Sequence, residues 1–400
     1  MKALILAGGY DQIQLINEYK KRGYETILVD YFDNPPAKSY AHKHYQVSTL
    51  DVEAVKEIAI NENVDLVMTA CTDQALVTMA KVSEDLNLPC YLSYETACKV
   101  TNKLLMKRIM VENHIPTADF SIITNQGDVK GLKFPVVVKP VDANSSKGVE
   151  RVYSFEELDK AIEVARNYSR QNEVIVEEYK VGEELSVDVW VEDGKGQIMC
   201  ISQSEKRQDD KKFTIIQSKY PCQISQGEEA KLLDIINQII SVFNLNKGPM
   251  LVQMIKNNSE FNVIEFSARC GGGTKYKLIE AVSGLDPIKT IVDLSMGIQE
   301  TVVLSRSRRC FHMNYVYCNP GQIKEFQGFE EAHQRGLIDD YFYYKTPGMT
   351  IEKIENSSDR AAGYMVSGDT IEELLEREKQ IEEMIAVNSQ EGINMIRSML

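Results

Sequence analysis

The sequence predicts an α/β fold for the first part of the chain, with a doubly wound parallel sheet, followed by a region of mixed α+β structure. The first observation is the alternation of the apolar strands ALILAG, ETILVD and DLVMTA with helical patterns. Strands separated by helices pair in parallel, so this alternation favours a parallel sheet. The second observation is a set of strands joined by short turns after residue 133.

The helical patterns of the first region run from about Gln12 to Arg22, from Val52 to Asn61 and from Gln74 to Leu86. The turn AGGYDQ after the first strand is similar to a phosphate-binding turn, but it lacks the full GxGxxG spacing of a dinucleotide site. Asp30 ends the second strand, where a ribose-binding acid would stand. A tight strand-to-helix turn is the favoured interpretation, and NAD binding is the alternative.

Composition excludes several classes of protein. The chain has 400 residues, 43% of them hydrophobic, and a formal net charge of −14 with dispersed acidic residues. This field would repel nucleic acid and anionic membrane surfaces, so we expect neither as a partner. No apolar run approaches the roughly 20 residues of a membrane helix, and the N-terminus is typical of a buried strand and not of a signal peptide.

Eight cysteines are scattered without CxxC pairs, a pattern typical of reduced thiols, and we expect a cytoplasmic location. The close pair His42 and His44 makes a poor zinc site because the other three histidines are far away in sequence.

A helical pattern from about Glu95 to Asn113 places Lys103 and Lys107 one turn apart on one face. The segment FPVVVKPVDANSSKGVERV then predicts a buried strand that ends in Lys139, a small polar loop and a second strand. Backbone amides of this loop could face an anion, with Lys139 reaching phosphate. The loop residues concerned are Ser145, Ser146 and Gly148. An ordinary polar hairpin is the alternative.

The segment VIVEEYKVGEELSVDVWVEDG predicts two strands around a turn at Gly182. Glu177, Glu178 and Glu184 lie near this junction, where carboxylates could accept hydrogen bonds from an adenine amino group and ribose hydroxyls. A solvated acidic turn is the alternative.

The most informative segment is PMLVQMIKNNSEFNVIEFSARCGGGTK, which predicts a hairpin with its turn near Asn258. This turn puts Gln253 opposite Glu265, and the period of two places Glu265, Ser267 and Arg269 on one face. Oxygen ligands of this kind suit Mg²⁺, and Arg269 could clamp a phosphoryl group. The glycines at 271–273 indicate close approach of the backbone to a ligand.

This ordered set of segments resembles the ATP-grasp superfamily, in the branch of carbamoyl-phosphate synthase large-chain domains, biotin carboxylases and glycinamide ribonucleotide synthetases. The resemblance implies a pre-ATP-grasp domain followed by a two-subdomain ATP-grasp fold with ATP between the subdomains. The implied divisions are a pre-ATP-grasp domain at 1–95, linker helices at 96–132, a small lid subdomain at 133–178, a large subdomain with the metal site at 179–300 and its C-terminal part at 301–400.

The resemblance also implies residue roles. Lys103 and Lys139 would contact ATP phosphates, and the loop from Ser145 to Gly148 would close over them. Glu177, Glu178 and the backbone to Lys180 would hold adenine, and Glu184 the ribose. The implied Mg²⁺ positions are Gln253, Glu265 and Ser267, and Arg269 with Lys139 would act on the reacting phosphoryl group.

Two departures from the family affect these roles. Ser267 stands where many relatives place Asn, and Gln253 where they place Asp or Glu, so a second Mg²⁺ is in doubt. Ser145 and Ser146 replace the commoner glycines of the phosphate loop, which should stiffen it.

The resemblance implies an ADP-forming ligase that phosphorylates a carboxylate and passes the acyl phosphate to an amine, with both substrates small molecules. An amino acid or small biosynthetic carboxylate is the favoured substrate. A purine-pathway carboxylase or synthetase, a nucleotide-binding protein without turnover and an NAD-linked oxidoreductase are the alternatives. The pattern of residues 309–400 predicts strands and a closing helix, with Arg360 either at the surface or at a substrate. The oligomeric state is open, with a homodimer as one option.

Overall fold

The computed structural model describes residues 1–123, 131, 133–144, 146–207, 211–298 and 301–397. Its first unit is a four-stranded parallel sheet in the order β3-β2-β1-β4, with helices between the strands. The elements are β1 (Lys2–Leu6), α1 (Asp11–Lys21), β2 (Glu25–Asp30), β3 (Lys43–Gln46), α2 (Val52–Glu62), β4 (Leu66–Met68) and α3 (Asp73–Asp85). The predicted parallel sheet is confirmed.

Two helices follow where the sequence predicts one, because the chain breaks at Asn102. These helices are α4 (Tyr94–Thr101) and α5 (Lys103–Glu112). Asn102 has extended backbone angles, and its side chain accepts a hydrogen bond from the Leu105 amide as an N-cap. The Lys103 amide donates to the carbonyl of Val141 at 2.9 Å instead of continuing α4. The single predicted helix is therefore wrong, and Lys103 begins a helix.

A small antiparallel sheet comes next, in the order β5-β8-β6-β7, with one helix packed on it. It consists of β5 (Phe120–Ile123), β6 (Val136–Pro140), β7 (Glu150–Val152), α6 (Phe155–Tyr168) and β8 (Val174–Glu178). Its buried side chains form a cluster of their own. The pairing of β6 with β7 confirms the predicted hairpin.

The largest unit is an eight-stranded antiparallel sheet in the order β13-β12-β9-β10-β11-β14-β18-β16, beside a small sheet in the order β17-β15-β19. The elements up to residue 316 are β9 (Glu183–Glu192), β10 (Lys195–Lys206), β11 (Ile215–Tyr220), α7 (Gln226–Val242), β12 (Gly248–Asn257), β13 (Glu260–Ser267), α8 (Lys275–Ser283), α9 (Pro287–Ser295) and β14 (Cys310–Val316). The rest are β15 (Gly321–Gln327), α10 (Phe329–Gln334), β16 (Asp340–Tyr343), β17 (Thr350–Ile351), β18 (Ala362–Gly368), α11 (Ile371–Met384) and β19 (Ala386–Ser389).

One hydrophobic core runs without a break from the parallel sheet into the eight-stranded sheet. Helices α1 and α9 pack together at this junction, where the Arg22 guanidinium pairs with Asp293 at 2.5 Å and the Tyr19 hydroxyl lies 2.7 Å from that of Ser295. The small sheet does not share this core, so it faces the large sheet across a cleft.

The small sheet takes β5 from before residue 133, and the large sheet draws strands from both 179–300 and 301–400. The domain boundaries given above stay a prediction. No helix among the described residues is long and apolar enough to cross a membrane.

Candidate functional site

The hairpin β12–β13 forms the floor of the site. Gln253 lies directly opposite Glu265 in the register, which confirms the predicted pairing, and the chain turns at Asn258 in the left-handed conformation. The register shifts after Gln253, at an irregularity of β12. The pairing therefore places an amide and a carboxylate side by side at the cleft.

Lys103, the first residue of α5, pairs with Glu265. Its Nζ lies 2.9 Å from Glu265 Oε2 and donates to the Ala143 carbonyl at 2.9 Å. Burial alone would lower the pKa of Lys103, but the Glu265 carboxylate outweighs burial and raises that pKa. The charges of Lys103 and Lys139 likewise overcome burial and lower the pKa of Glu265. Both groups are therefore charged.

Glu177 at the end of β8 lies between two buried lysines. Its Oε1 is 2.7 Å from Lys139 Nζ and 3.1 Å from Lys107 Nζ. Burial would raise the pKa of Glu177, and the two ammonium charges reverse this and lower it. The Glu177 carboxylate thus faces the lysines, and its adenine contact stays a prediction.

The predicted phosphate loop joins β6 to β7 above the cleft. Ser146 and Gly148 both have left-handed backbones, with φ of 60° and 68°. A side chain at Gly148 would meet the ring of Tyr168 at 2.8 Å, so this position needs glycine. The Ser146 hydroxyl donates to the Phe213 carbonyl of the large unit at 3.5 Å. Ser145 lies outside the described residues.

The cleft between the small and large sheets holds a cavity of about 380 Å³. At one end the Glu178 carboxylate pairs with Lys180 at 2.8 Å, and Glu184 pairs closely with Lys206. Lys206 also lies 4.7 Å above the ring of Phe213. The structure brings together around this cavity the predicted residues Lys103, Lys139, Ser146, Glu177, Glu178, Lys180, Glu184, Gln253 and Glu265.

A second cavity, of about 440 Å³, lies between the parallel sheet and the large sheet. Lys103, Gln253 and Glu265 line both cavities. Ser267 and Arg269 line only the second, where both donate to the carboxylate of Asp73. The two cavities therefore meet at the Lys103–Glu265 pair.

Asp73 begins α3, 196 residues before Arg269, and reasoning from the sequence missed it. Burial would raise the pKa of Asp73, and the Arg269 guanidinium outweighs burial and lowers it. Arg269 also donates to the Cys270 carbonyl at 2.6 Å, while its buried Nε has no hydrogen-bond partner in the described structure. Arg269 thus retains one buried hydrogen-bond donor that its described neighbours do not satisfy.

The glycine-rich turn after β1 binds protein backbone. Asp11 accepts hydrogen bonds from the amides of Gly273, at 3.1 Å, and Thr274, at 2.7 Å. Asp30 accepts from the amides of Gly8, at 2.7 Å, and Phe32, at 2.8 Å. Because both acids are engaged with the backbone, the structure favours the tight turn over a dinucleotide site.

Arg360 lies half-buried beside the triglycine loop (residues 271–273), and the sequence analysis left its position open. Its guanidinium stacks 3.6 Å above the ring of Tyr315, and its Nε donates to the Tyr317 hydroxyl at 3.3 Å. A side chain at Gly273, where φ is 73°, would meet Arg360 Nη1 at 2.2 Å. Within the described part of the chain no carboxylate lies at ion-pair distance from Arg360, so this cation could receive an anionic ligand.

Predicted metal positions supply few ligands. The carboxylate of Glu265 and the amide of Gln253 are hard oxygen donors, while the Ser267 hydroxyl is occupied with Asp73. No cluster of three or more His, Cys, Asp or Glu side chains suited to a metal occurs among the described residues. This donor set fits one Mg²⁺ that takes the rest of its shell from water and phosphate.

Comparison with known families identifies two segments. Residues 132–277 match the ATP-grasp domain, and residues 314–389 match the L-amino acid ligase C-terminal domain 2. The first match covers most of the small sheet and the β12–β13 hairpin.

Two curated relatives represent different activities. A formate-dependent phosphoribosylglycinamide formyltransferase of Sulfurisphaera tokodaii is 31% identical over 195 residues, 46% of this chain and 49% of that protein. An L-arginine-specific L-amino acid ligase of Bacillus subtilis is 24% identical over 315 residues, 74% of this chain and 72% of that protein. The chain thus spans about half the length of the first relative.

A solved structure matches almost the whole chain. The L-amino acid ligase from Bacillus licheniformis superposes with a TM-score of 0.81 at 20% identity, covering 97% of this chain and 98% of that one. At this identity the likeness establishes the fold, and the predicted fold class is confirmed.

Proposed function

Because the chain contains an ATP-grasp domain and has the ATP-grasp fold, we propose that it is an ADP-forming carboxylate–amine ligase. The observation that carries this proposal is the meeting of two cavities at Lys103, Gln253 and Glu265. A nucleotide in one cavity could transfer its terminal phosphoryl group to a carboxylate held in the other.

We place ATP in the cavity between the small and large sheets. Lys139 on β6 and Lys103 on α5 both line it and could neutralise phosphate oxygens. Ser146 and Gly148 would bring loop amides to the same phosphates. Glu178, Lys180 and Glu184 line the cavity and would face the base and the ribose. Glu177 also lines the cavity and is ion-paired with Lys139.

Gln253 and Glu265 would hold Mg²⁺. Bound there, the ion would neutralise phosphate charge as it develops. Ser267 is the weakest of the predicted ligands because its hydroxyl donates to Asp73, so we propose one firmly held ion.

The reaction has two balanced steps. A carboxylate oxygen of the substrate bonds to the γ-phosphorus while the bond to the β–γ bridging oxygen breaks and ADP leaves. The amine nitrogen then bonds to the acyl carbon, phosphate leaves, and the nitrogen loses a proton. Arg269, which lines the second cavity, would hold the anionic acyl phosphate there.

For the substrates, we propose an amino acid as the carboxylate and an amine that can itself be an amino acid. Support comes from the match of residues 314–389 to an L-amino acid ligase domain and from the 74% of this chain that aligns with an L-amino acid ligase. A purine-pathway substrate is the second candidate, and the 31% identity to the formyltransferase favours it. The eight cysteines are unpaired, which supports our proposal of a cytoplasmic protein.

The test is release of ADP and phosphate from MgATP across a panel of amino acids, other carboxylates and aminoimidazole or phosphoribosylamine substrates, with mass spectrometry of the products. We expect ADP release that depends on an amino acid pair and yields a condensed product. Release only with the phosphoribosyl compounds would replace the first candidate by the second. Nucleotide binding without turnover across the panel would favour a non-catalytic protein, and absence of nucleotide binding would overturn the proposal.

A further inference from the structure

Lys107 is almost fully buried, at 1% exposure, and it lines neither cavity. It follows Lys103 by one turn of α5 and points into the space between β8 and β13. Its Nζ lies 3.1 Å from Glu177 Oε1 and donates to the Thr117 hydroxyl at 2.6 Å, which in turn donates to the Val263 carbonyl at 2.7 Å. Since the Lys107 side chain touches neither cavity, it can affect ligand binding only through another residue.

Both lysines that contact Glu177 approach the same oxygen. Lys139 Nζ is 2.7 Å from Oε1 and lines the nucleotide cavity, whereas Lys107 lies behind the carboxylate. If Lys139 turned to a phosphate and no other cation were present, the buried Glu177 carboxylate would be left without a counterion, which is strongly unfavourable. With Lys107 in place, the Glu177 carboxylate keeps a positively charged partner when Lys139 turns away.

We infer that Lys107 is a positioning residue that serves as the second counterion of Glu177, out of reach of the nucleotide, and thereby leaves Lys139 available to nucleotide phosphate. This inference rests on the proposed nucleotide site. The charges of the cluster support this inference. The three lysines Lys103, Lys107 and Lys139 face only two carboxylates, those of Glu177 and Glu265, so the cluster has a net charge of about +1. That surplus charge is suited to an incoming polyanion.

The same arrangement predicts a pH dependence. Lys107 is faced by Glu177 from β8, Lys139 from β6 and Glu265 from β13, with Lys103 on its own helix. Burial, only partly offset by Glu177, lowers the pKa of Lys107 to about 8. Above this pH Lys107 loses its proton, Glu177 holds Lys139 alone, and ATP affinity falls.

The experiment measures the dissociation constant of ATP for the full-length protein by calorimetry at pH 7 and pH 9. We expect Lys107→Met to raise the dissociation constant of ATP about tenfold at pH 7. Arg108→Met removes an exposed positive charge from the next position of α5 and should have no effect. The wild-type constant should rise from pH 7 to pH 9, and that of Lys107→Met should not.

A second background separates positioning from a general structural role. In Glu177→Gln the carboxylate charge is absent, so adding Lys107→Met should change the constant less than about twofold. An equal loss in both backgrounds, or unchanged affinity in Lys107→Met, would overturn the inference while leaving the proposed function intact. Absence of ATP binding by the wild-type protein would overturn both.

Discussion

Glu265 occupies the point where the two cavities meet, and its surroundings explain why a carboxylate is needed there. Lys103 lies 2.9 Å away and Gln253 lies across the strand pair. The lowered pKa of Glu265 keeps this half-buried carboxylate ionised, so it can carry a cation between nucleotide and substrate.

We expect Glu265→Gln to reduce Mg²⁺-dependent ADP release at least about a hundredfold, because the one carboxylate ligand of the predicted site becomes a neutral amide. The fold should be retained, since the change is isosteric. Glu260→Gln, at the exposed start of the same strand, is the matched control. Equal turnover of Glu265→Gln and wild type would remove the metal site from this hairpin.

Lys139 has a different task, because it is the partner of Glu177 that lines the proposed nucleotide cavity. Lys139→Ala should raise the ATP dissociation constant roughly tenfold through the loss of a phosphate contact. Lys160→Ala removes an exposed lysine of α6 in the same small unit and should leave binding unchanged. An unaltered constant for Lys139→Ala would move the nucleotide to another place in the molecule.

At the scale of elements, the β12–β13 hairpin was predictable because its information is local. A turn at Asn258 and the period of two are sufficient to pair Gln253 with Glu265. Asp73 and Asp11 were not predictable in the same way. They come from the starts of α3 and α1 and reach their partners only when the parallel sheet packs on the large sheet.

The other misses have both local and tertiary causes. The helical period continues through Asn102, yet its side chain caps α5 and the backbone turns to Val141, so one predicted helix becomes two. Strand β3 (KHYQ) has little apolar character and forms because it completes the parallel sheet beside β2. The sequence around Arg360 is typical of a surface arginine. Its position depends on Tyr315 of β14, whose ring lies beneath the guanidinium only in the folded chain.

The triglycine loop is the element whose geometry is most restricted. Gly273→Ala should destabilise the protein by about 1–2 kcal/mol from its left-handed backbone alone, and by more because the new methyl would displace Arg360. Gly194→Ala has the similar φ of 71° with nothing within 4 Å and isolates the backbone cost. Urea unfolding of both variants measures the difference. Equal losses would mean that Arg360 moves without strain.

At the scale of the whole molecule, the division of the hydrophobic cores determines which part can move. The parallel sheet and the eight-stranded sheet share one core, reinforced by Arg22–Asp293 and by the hydrogen bonds that Asp11 accepts from the amides of Gly273 and Thr274. The small sheet and α6 have a core of their own. Motion should therefore occur at the cleft, with the small sheet moving as a unit.

This division predicts the pattern of amide hydrogen exchange. Without nucleotide, β6, β7 and α6 should exchange faster than β1 and β9, because a small separate core opens more easily than a large continuous one. MgATP bound in the cleft should slow exchange in the small unit selectively, since it would join Lys139 on one side to Lys103 and Glu265 on the other. Lys139→Ala at the same ATP concentration should show less protection. Uniform protection of all three sheets would mean that the molecule responds as one rigid body, and the cleft would then not be the place where nucleotide couples the two units.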